Sequence, residues 1–140
     1  MSGVLVDTDV LIAAYQTDAR DPKTARAKDE LEALALRGDG YVCLPSLAEF
    51  SSLLLTRAEP QVGPAALRQA LAHLENVFVV LRPTDRSLDG ALHGVEKHRL
   101  SMRDSLVWAI AHENGLDEVL TEAGPGKPLI EGVRDRNPFA

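Results

Sequence analysis

Apolar residues fall along this chain in two textures: short continuous runs, and longer stretches where they recur every third or fourth position. Residues 3–7, Gly-Val-Leu-Val-Asp, are a continuous apolar run ending in an acid, which predicts a strand buried on both faces. Thr8 or Asp9 caps one or two helical turns over residues 10–15. A polar loop fills 16–23, and 24–36 predicts a helix with Ala27, Leu31, Leu34 and Ala35 on one face and Gly38 at its end. Residues 41–44 read as a second strand, and Pro45-Ser46 opens a helix to about Arg57. Pro60 and Gly63-Pro64 separate it from a helix over 65–74. Residues 77–81, apolar and mostly β-branched, read as a third strand. A helix follows over 86–99, weakened by Gly90 and Gly94. Ser101 opens the clearest helix, with Leu106, Val107, Ile110 and Ala111 apolar and Gly115 as its stop. Residues 118–120 and 129–130 are short strands around a Gly124-Pro125-Gly126 turn. Residues 131–140 read as an irregular tail with one large anchor, Phe139. Strands alternating with helices predict an α/β layer sandwich around a mostly parallel sheet of four to five strands.

At 140 residues, with neither repeat nor linker, the chain predicts a single domain over 1–140. Cys43 is the only cysteine, so internal disulfides and Cys-rich zinc sites are excluded. Its place inside an apolar strand predicts a small core residue. The apolar runs are far short of the ~20 residues a bilayer span needs. The opening segment lacks a basic region and carries two aspartates, which predicts a cytoplasmic protein with no membrane association.

A net charge of −6 counts against a phosphate-bearing partner only if the acids are spread evenly. If Asp7, Asp9, Glu49, Asp104 and Glu122 gather in one place, the rest of the molecule is nearly neutral. A substrate would then be met by metal as well as by arginine. The placement of these acids favours such a cluster. In parallel sheets ligands bind beyond the carboxyl ends of the strands. Asp7 ends the first strand, Glu49 follows the second, Asp104 sits in the first turn of the Ser101 helix, and Glu122 follows Leu120. An oxygen-only donor set suits Mg²⁺ or Mn²⁺.

Each acid also has a structural reading. Ser46-Leu-Ala-Glu49 and Ser101-Met-Arg-Asp104 both match the capping box, and first-turn acids are favoured by the helix dipole. Asp7 is as readable as a cap as it is as a ligand, although an acid following an apolar strand is costly to bury unpaired. Glu122 alone reads as a solvated turn residue. His73, His93, His98 and His112 read as surface residues; His93 and His98 are five apart, poor spacing for one helical metal face. Trp108 reads as packed or at an interface rather than as a base-stacking platform. Neither GxGxxG nor GxxxxGK[ST] occurs, so nucleotide-cofactor readings lack their main support.

Four segments in order, VLVDTDVLIAAY, LPSLAEFSSLLL, SMRDSLVWAIAHENG and VLTEAGPGKPLIEGVRDRNPF, resemble PIN-domain proteins, and within them the VapC toxins of bacterial toxin–antitoxin pairs. The resemblance implies a PIN-like three-layer sandwich and a Mg²⁺- or Mn²⁺-dependent endoribonuclease that hydrolyses RNA phosphodiesters with metal-activated water. It places the catalytic, metal-binding acids at Asp7, Glu49 and Asp104. At the fourth acidic position this chain departs from its relatives: Thr121-Glu122-Ala123 stands where they often read T-E-D. The resemblance leaves Glu122 or Asp9 to supply the missing charge, or a weakened second metal site. Thr8 and Thr121 are supporting hydrogen-bonding residues, and Arg103, Arg134 and Arg136 are candidates for phosphate contacts. The implied partners are RNA, a VapB-like antitoxin and a second copy of the chain, as a homodimer or toxin–antitoxin hetero-oligomer. Residues 50–55 and the neighbourhood of Trp108 are candidate contact surfaces.

Two rivals remain at this level. VLVDTDV also matches the strand-then-DxD opening of haloacid-dehalogenase-type phosphatases, with Asp7 as nucleophile and Asp9 as acid/base. That chemistry needs a lysine and a later pair of adjacent acids that the sequence does not supply in a suitable setting. The other rival is a PIN fold whose site Ala123 has degraded into a binding module.

Overall fold

The computed structural model describes residues 3–16, 20–124 and 128–140. Part of the predicted 16–23 loop and of the Gly124-Pro125-Gly126 turn lies outside them. The elements run β1 (Val4–Val6), α1 (Thr8–Ala14), α2 (Pro22–Arg37), β2 (Gly40–Cys43), α3 (Leu44–Thr56), α4 (Pro64–Val77) and β3 (Val79–Leu81). They continue as α5 (Asp85–His98), α6 (Met102–Glu113), β4 (Glu118–Leu120), β5 (Leu129–Ile130) and β6 (Val133–Arg136).

The strands form one six-stranded sheet in the order β3-β2-β1-β4-β6-β5. All pairs are parallel except the β5–β6 hairpin. Strand alternation divides the core between two faces. Val4, Val6, Val42 and Leu120 pack under α1–α4 with Val10, Leu34, Phe50 and Leu74. Leu5, Cys43, Val119 and Val133 pack against Trp108 and Ile110 of α6 and Ala91 of α5. The result is the expected three-layer sandwich. From β1 the chain winds outward through β2 and β3, then crosses back through α5 and α6 to β4 on the other side of β1. That reversal opens a crevice at the carboxyl ends of β1 and β4, where open α/β sheets bind ligands.

Several expected boundaries change. Residues 131–140 are not wholly irregular: β6 pairs parallel with β4, which makes six strands rather than four or five. The third strand is only Val79–Leu81, because Val77 ends α4 and Phe78 caps it, donating its N–H to Leu74 O at 3.0 Å. α3 starts at Leu44 with Cys43 at its N-cap, so Ser46 is buried in the first turn rather than capping it. Glu49 consequently lies in the second turn and the capping-box reading of it fails. Gly94 does not weaken α5. A Cβ there would overlap the Ser105 hydroxyl and crowd the Trp108 ring at 3.1 Å, so glycine lets α5 and α6 approach closely. Phe139 is an anchor as expected, half-buried against the α1–α4 layer. Cys43 is a buried core thiol 3.2 Å from Ser46 Oγ.

Candidate active site

Asp7 is the centre of the crevice. It is 3% exposed, and its backbone N–H donates to Leu120 O at 3.0 Å, locking the end of β1 to β4. Its Oδ1 accepts the Thr8 N–H at 2.8 Å, so it caps α1 as well as lining the site. Thr121 Oγ1 lies 3.1 Å from Asp7 Oδ2 and 3.2 Å from Asp9 Oδ2, within donor reach of both. Thr8 Oγ1 donates to Ser46 O at 3.3 Å, tying α1 to the start of α3.

Arg103 occupies the middle of the cluster. Its Nη1 is 2.9 Å from Asp7 Oδ2 and 3.1 Å from Asp104 Oδ1. Its Nη2 is 2.9 Å from Asp7 Oδ1 and 2.8 Å from Glu49 Oε1. The guanidinium therefore forks onto Asp7 and bridges two further carboxylates, the geometry for which arginine is suited. It holds the Glu49 carboxyl below its usual range, and the carboxylates raise the Arg103 value. The Asp104 N–H donates to the Ser101 hydroxyl at 3.1 Å, but its carboxylate turns to Arg103. Only half of the predicted capping box is thus formed.

The remaining candidates fall in different places. Asp9 Oδ2 accepts the backbone N–H groups of Glu122 and Ala123, both at 2.9 Å, and so fastens the turn after β4 to α1. Burial, then the charge of Asp7, raises its pKa. Glu122 does not join the cluster; its carboxylate pairs with Lys23 of α2. Arg136 pairs with Glu30 at 2.9 Å and with Glu118, away from the crevice. Arg134 is exposed. Phe50 and Leu54 are core residues, leaving Leu55 as the exposed apolar residue of 50–55, and Trp108 is 6% exposed with Nε1 donating to Ile130 O at 3.1 Å.

One acid was missed. Asp135 of β6 lines a small cavity of about 20 Å³ with Asp7, Asp104, Thr121 and Gly124. Its Oδ2 is buried with no hydrogen-bond partner. Gly124 accommodates it, since a Cβ there would overlap this oxygen. Burial, then the charges of Asp7, Asp104 and Asp9, push its carboxyl up to about 6. The sequence signal was there in Leu129-Ile-Glu-Gly-Val133: apolar pairs around a two-residue Gly-containing turn predict a hairpin. Alternation then puts Asp135 on the buried face of Val133.

The donor set fits a hard divalent ion. Carboxylates of Asp7, Glu49 and Asp104 meet a single guanidinium, and Asp135, whose Oδ2 has no hydrogen-bond partner, lines with Asp7 and Asp104 a void large enough for one water-sized occupant.

The histidine reading needs correction. His93 lies at the surface as expected and His98 is half-buried there, but their five-residue spacing does not keep them apart. Arg99 leaves α5 in the left-handed conformation (φ 59°), and both rings converge on Glu131 Oε2, at 3.0 and 2.6 Å.

Among curated proteins none matches the chain by sequence. Solved structures match its fold. A toxin–antitoxin complex from Klebsiella pneumoniae is 18% identical over 98% of both chains, with a TM-score of 0.71. The sarcin–ricin-loop-cleaving toxin VapC20 of Mycobacterium tuberculosis is 22% identical over 84% of this chain and 87% of that one, with a TM-score of 0.63. VapBC2 of Rickettsia felis, bound to a promoter DNA fragment, is 14% identical over 96% and 97% of the chains, with a TM-score of 0.67. The family model for the PIN domain matches residues 4–122, from the first residue of β1 to just past β4, and the chain belongs to the PIN-domain family.

Proposed function

We propose that this chain is the toxin of a VapBC-type pair, an endoribonuclease dependent on Mg²⁺ or Mn²⁺. The observation that carries this reading is the convergence of Asp7, Glu49 and Asp104 on one cationic group, with the orphaned Asp135 beside them. Asp7, Asp104 and Asp135 would hold a divalent ion, with Glu49 at its edge. Such an ion lowers the pKa of its bound water toward neutrality and offsets charge on the phosphodiester. The chain's own residues do the positioning. Thr8 N–H and the Thr121 hydroxyl fix the Asp7 carboxylate, and Asp9 pins the turn that carries Thr121. Arg103, whose side chain is 41% exposed at the mouth of the cluster, would be the arginine within reach of an RNA phosphate. Arg134 lies opposite Glu118 at the start of β4, the end of the strand away from the crevice, so it adds no phosphate contact to this reading.

Asp135 counts against the degraded-site reading, because it adds a carboxylate to the crevice beside Asp7 and Asp104. The phosphatase reading finds no support in the crevice, where the cation at the DxD segment is Arg103 and Lys23 pairs with Glu122. The antitoxin reading follows from the same charge excess: a VapB-like partner would present a basic side chain where Arg103 now sits.

The test is cleavage mapping on total cellular RNA with purified protein, with and without Mn²⁺, using Asp7→Ala as control. Discrete cuts that require the ion and vanish in the variant support the proposal. Cleavage that persists in EDTA and in the variant overturns it.

A further inference from the structure

A second cluster of ligating side chains lies on the other side of Trp108. His93 and His98 come from the last turns of α5, and Glu131 comes from the tip of the β5–β6 hairpin. One ligand atom from each lies within 4.8 Å of the others, and the Nε2 atoms of both histidines hydrogen-bond to Glu131 Oε2. Two imidazole nitrogens and one carboxylate are a donor set for borderline transition ions rather than for Mg²⁺. In a tetrahedral zinc site with bonds of ~2.0–2.1 Å, neighbouring donors stand about 3.3 Å apart. The His93–Glu131 and His98–Glu131 separations of 3.0 and 2.6 Å need only small outward shifts to admit an ion.

The backbone is bent to build this cluster. Among the described residues only Arg99 and Glu131 have positive φ without being glycine, at 59° and 47°. One follows His98 and the other is a donor itself. Glu131 precedes Gly132 at φ 86°, a two-residue hairpin turn in which asparagine or glycine is the favoured first residue. A charged, unbranched acid in that place is conformationally unfavourable, the kind of local cost that accompanies a site. The platform beneath is rigid: Trp108 is buried, donates to Ile130 O, and stacks on His93 with ring centroids 6.2 Å apart. The donors lie beside an open cleft of about 900 Å³ lined by His93, Trp108, His112 and Glu131, so an ion and a water in its fourth position have access.

We propose that His93, His98 and Glu131 form a site for Zn²⁺, which clasps the β5–β6 hairpin to the end of α5. The site is separate from the acid cluster, and the inference does not rest on the nuclease reading. The clasp holds the hairpin from which Asp135 enters the crevice.

Trp108 is the only tryptophan and reports on the cluster directly. The experiment uses the full, untagged chain. Ni²⁺ is titrated as a fluorescence quencher, Zn²⁺ is added as competitor, and calorimetry with Zn²⁺ gives stoichiometry. One Zn²⁺ is expected at this site, counted in the Asp7→Asn, Asp104→Asn chain where the acid cluster does not compete, with displacement of Ni²⁺ and a Tm increase of several degrees. His93→Ala and His98→Ala each weaken Zn²⁺ at least tenfold. Glu131→Gly weakens it as well yet leaves the metal-free Tm unchanged or higher, since glycine relaxes the turn, so a folding defect cannot explain that loss. The double variant Asp7→Asn, Asp104→Asn keeps Zn²⁺ affinity within twofold. No Trp108 response and no Tm shift in the wild-type chain would overturn the site. So would Zn²⁺ affinity that survives the histidine changes or disappears with the aspartate changes.

Discussion

Two arginines of this molecule each bridge carboxylates from different elements, and they do different work. Arg136 lies between Glu30 of α2 and Glu118 of β4, all three side chains being partly exposed. Arg103 lies among Asp7, Glu49 and Asp104, with Asp9 and Asp135 acting electrostatically on the same place. The carboxylates raise the pKa of both arginines, so neither loses its charge. What differs is the excess. Around Arg136 the charges nearly balance, because Arg26 and Arg37 also act on Glu30, and the contact is a clasp. Around Arg103 the negative field exceeds what one guanidinium offsets, and an acid oxygen is left without a partner. A clasp resists replacement, whereas an under-neutralised cluster recruits further cations.

The strongest way to break this comparison is to remove the excess. Asp7→Ala or Asp104→Ala should lower Mn²⁺-dependent RNA cleavage by about 10³-fold, the scale of several kcal/mol of lost transition-state stabilisation, with an unchanged circular dichroism spectrum. Arg136→Ala should leave cleavage within a few-fold; an equal loss there would mean the two arginine clusters share one role. Next in size is Arg103→Ala. If the guanidinium stands where a metal binds, its removal should tighten Mn²⁺ binding about tenfold by calorimetry, equivalent to ~1.4 kcal/mol. Unchanged affinity would show that cation and arginine do not compete.

Smaller effects separate the clusters by stability. Arg136→Ala leaves Glu30 and Glu118 without their shared cation. Because all three side chains are partly exposed, the loss should be about 1 kcal/mol, a Tm decrease of about 2–4 °C. The smallest effect concerns pH. Asp135 has a folded-state value of about 6, above its ordinary 3.8. A carboxyl raised on folding binds more protons in the native state between those values, so it weakens the fold as pH rises through them. In EDTA, Asp135→Asn should therefore raise stability at pH 7–8 by about 1 kcal/mol, allowing for partial exposure, and change little at pH 4. A Tm difference independent of pH would remove Asp135 from the electrostatics of the crevice.

The parts of the molecule legible in sequence are those set by local pattern. The run Val4–Val6 ending in Asp7 announces a buried strand aimed at an acid, and Ser101 to Gly115 announces a helix with Asp104 in its first turn. β6 was legible only through its turn, since Val-Arg-Asp-Arg is mostly charged and is held as a strand by β5 on one side and β4 on the other. Asp135 was overlooked with it. Glu122 shows the converse. It lies just past the end of β4, as Asp7 lies past β1, yet the turn there sends its carboxylate to Lys23, more than ninety residues away in sequence.

By itself, then, the chain determined the alternation of strands and helices, the layered fold that follows, and which acids end up near strand termini. These depend on hydrophobic period and on neighbours within a few residues. Only the tertiary structure decided that Arg103 turns inward, that Asp135 takes part while Glu122 does not, and that two histidines with unpromising spacing meet a glutamate from a distant hairpin. Such outcomes depend on side-chain direction and on strand order across the sheet, and neither is set by any short stretch of sequence.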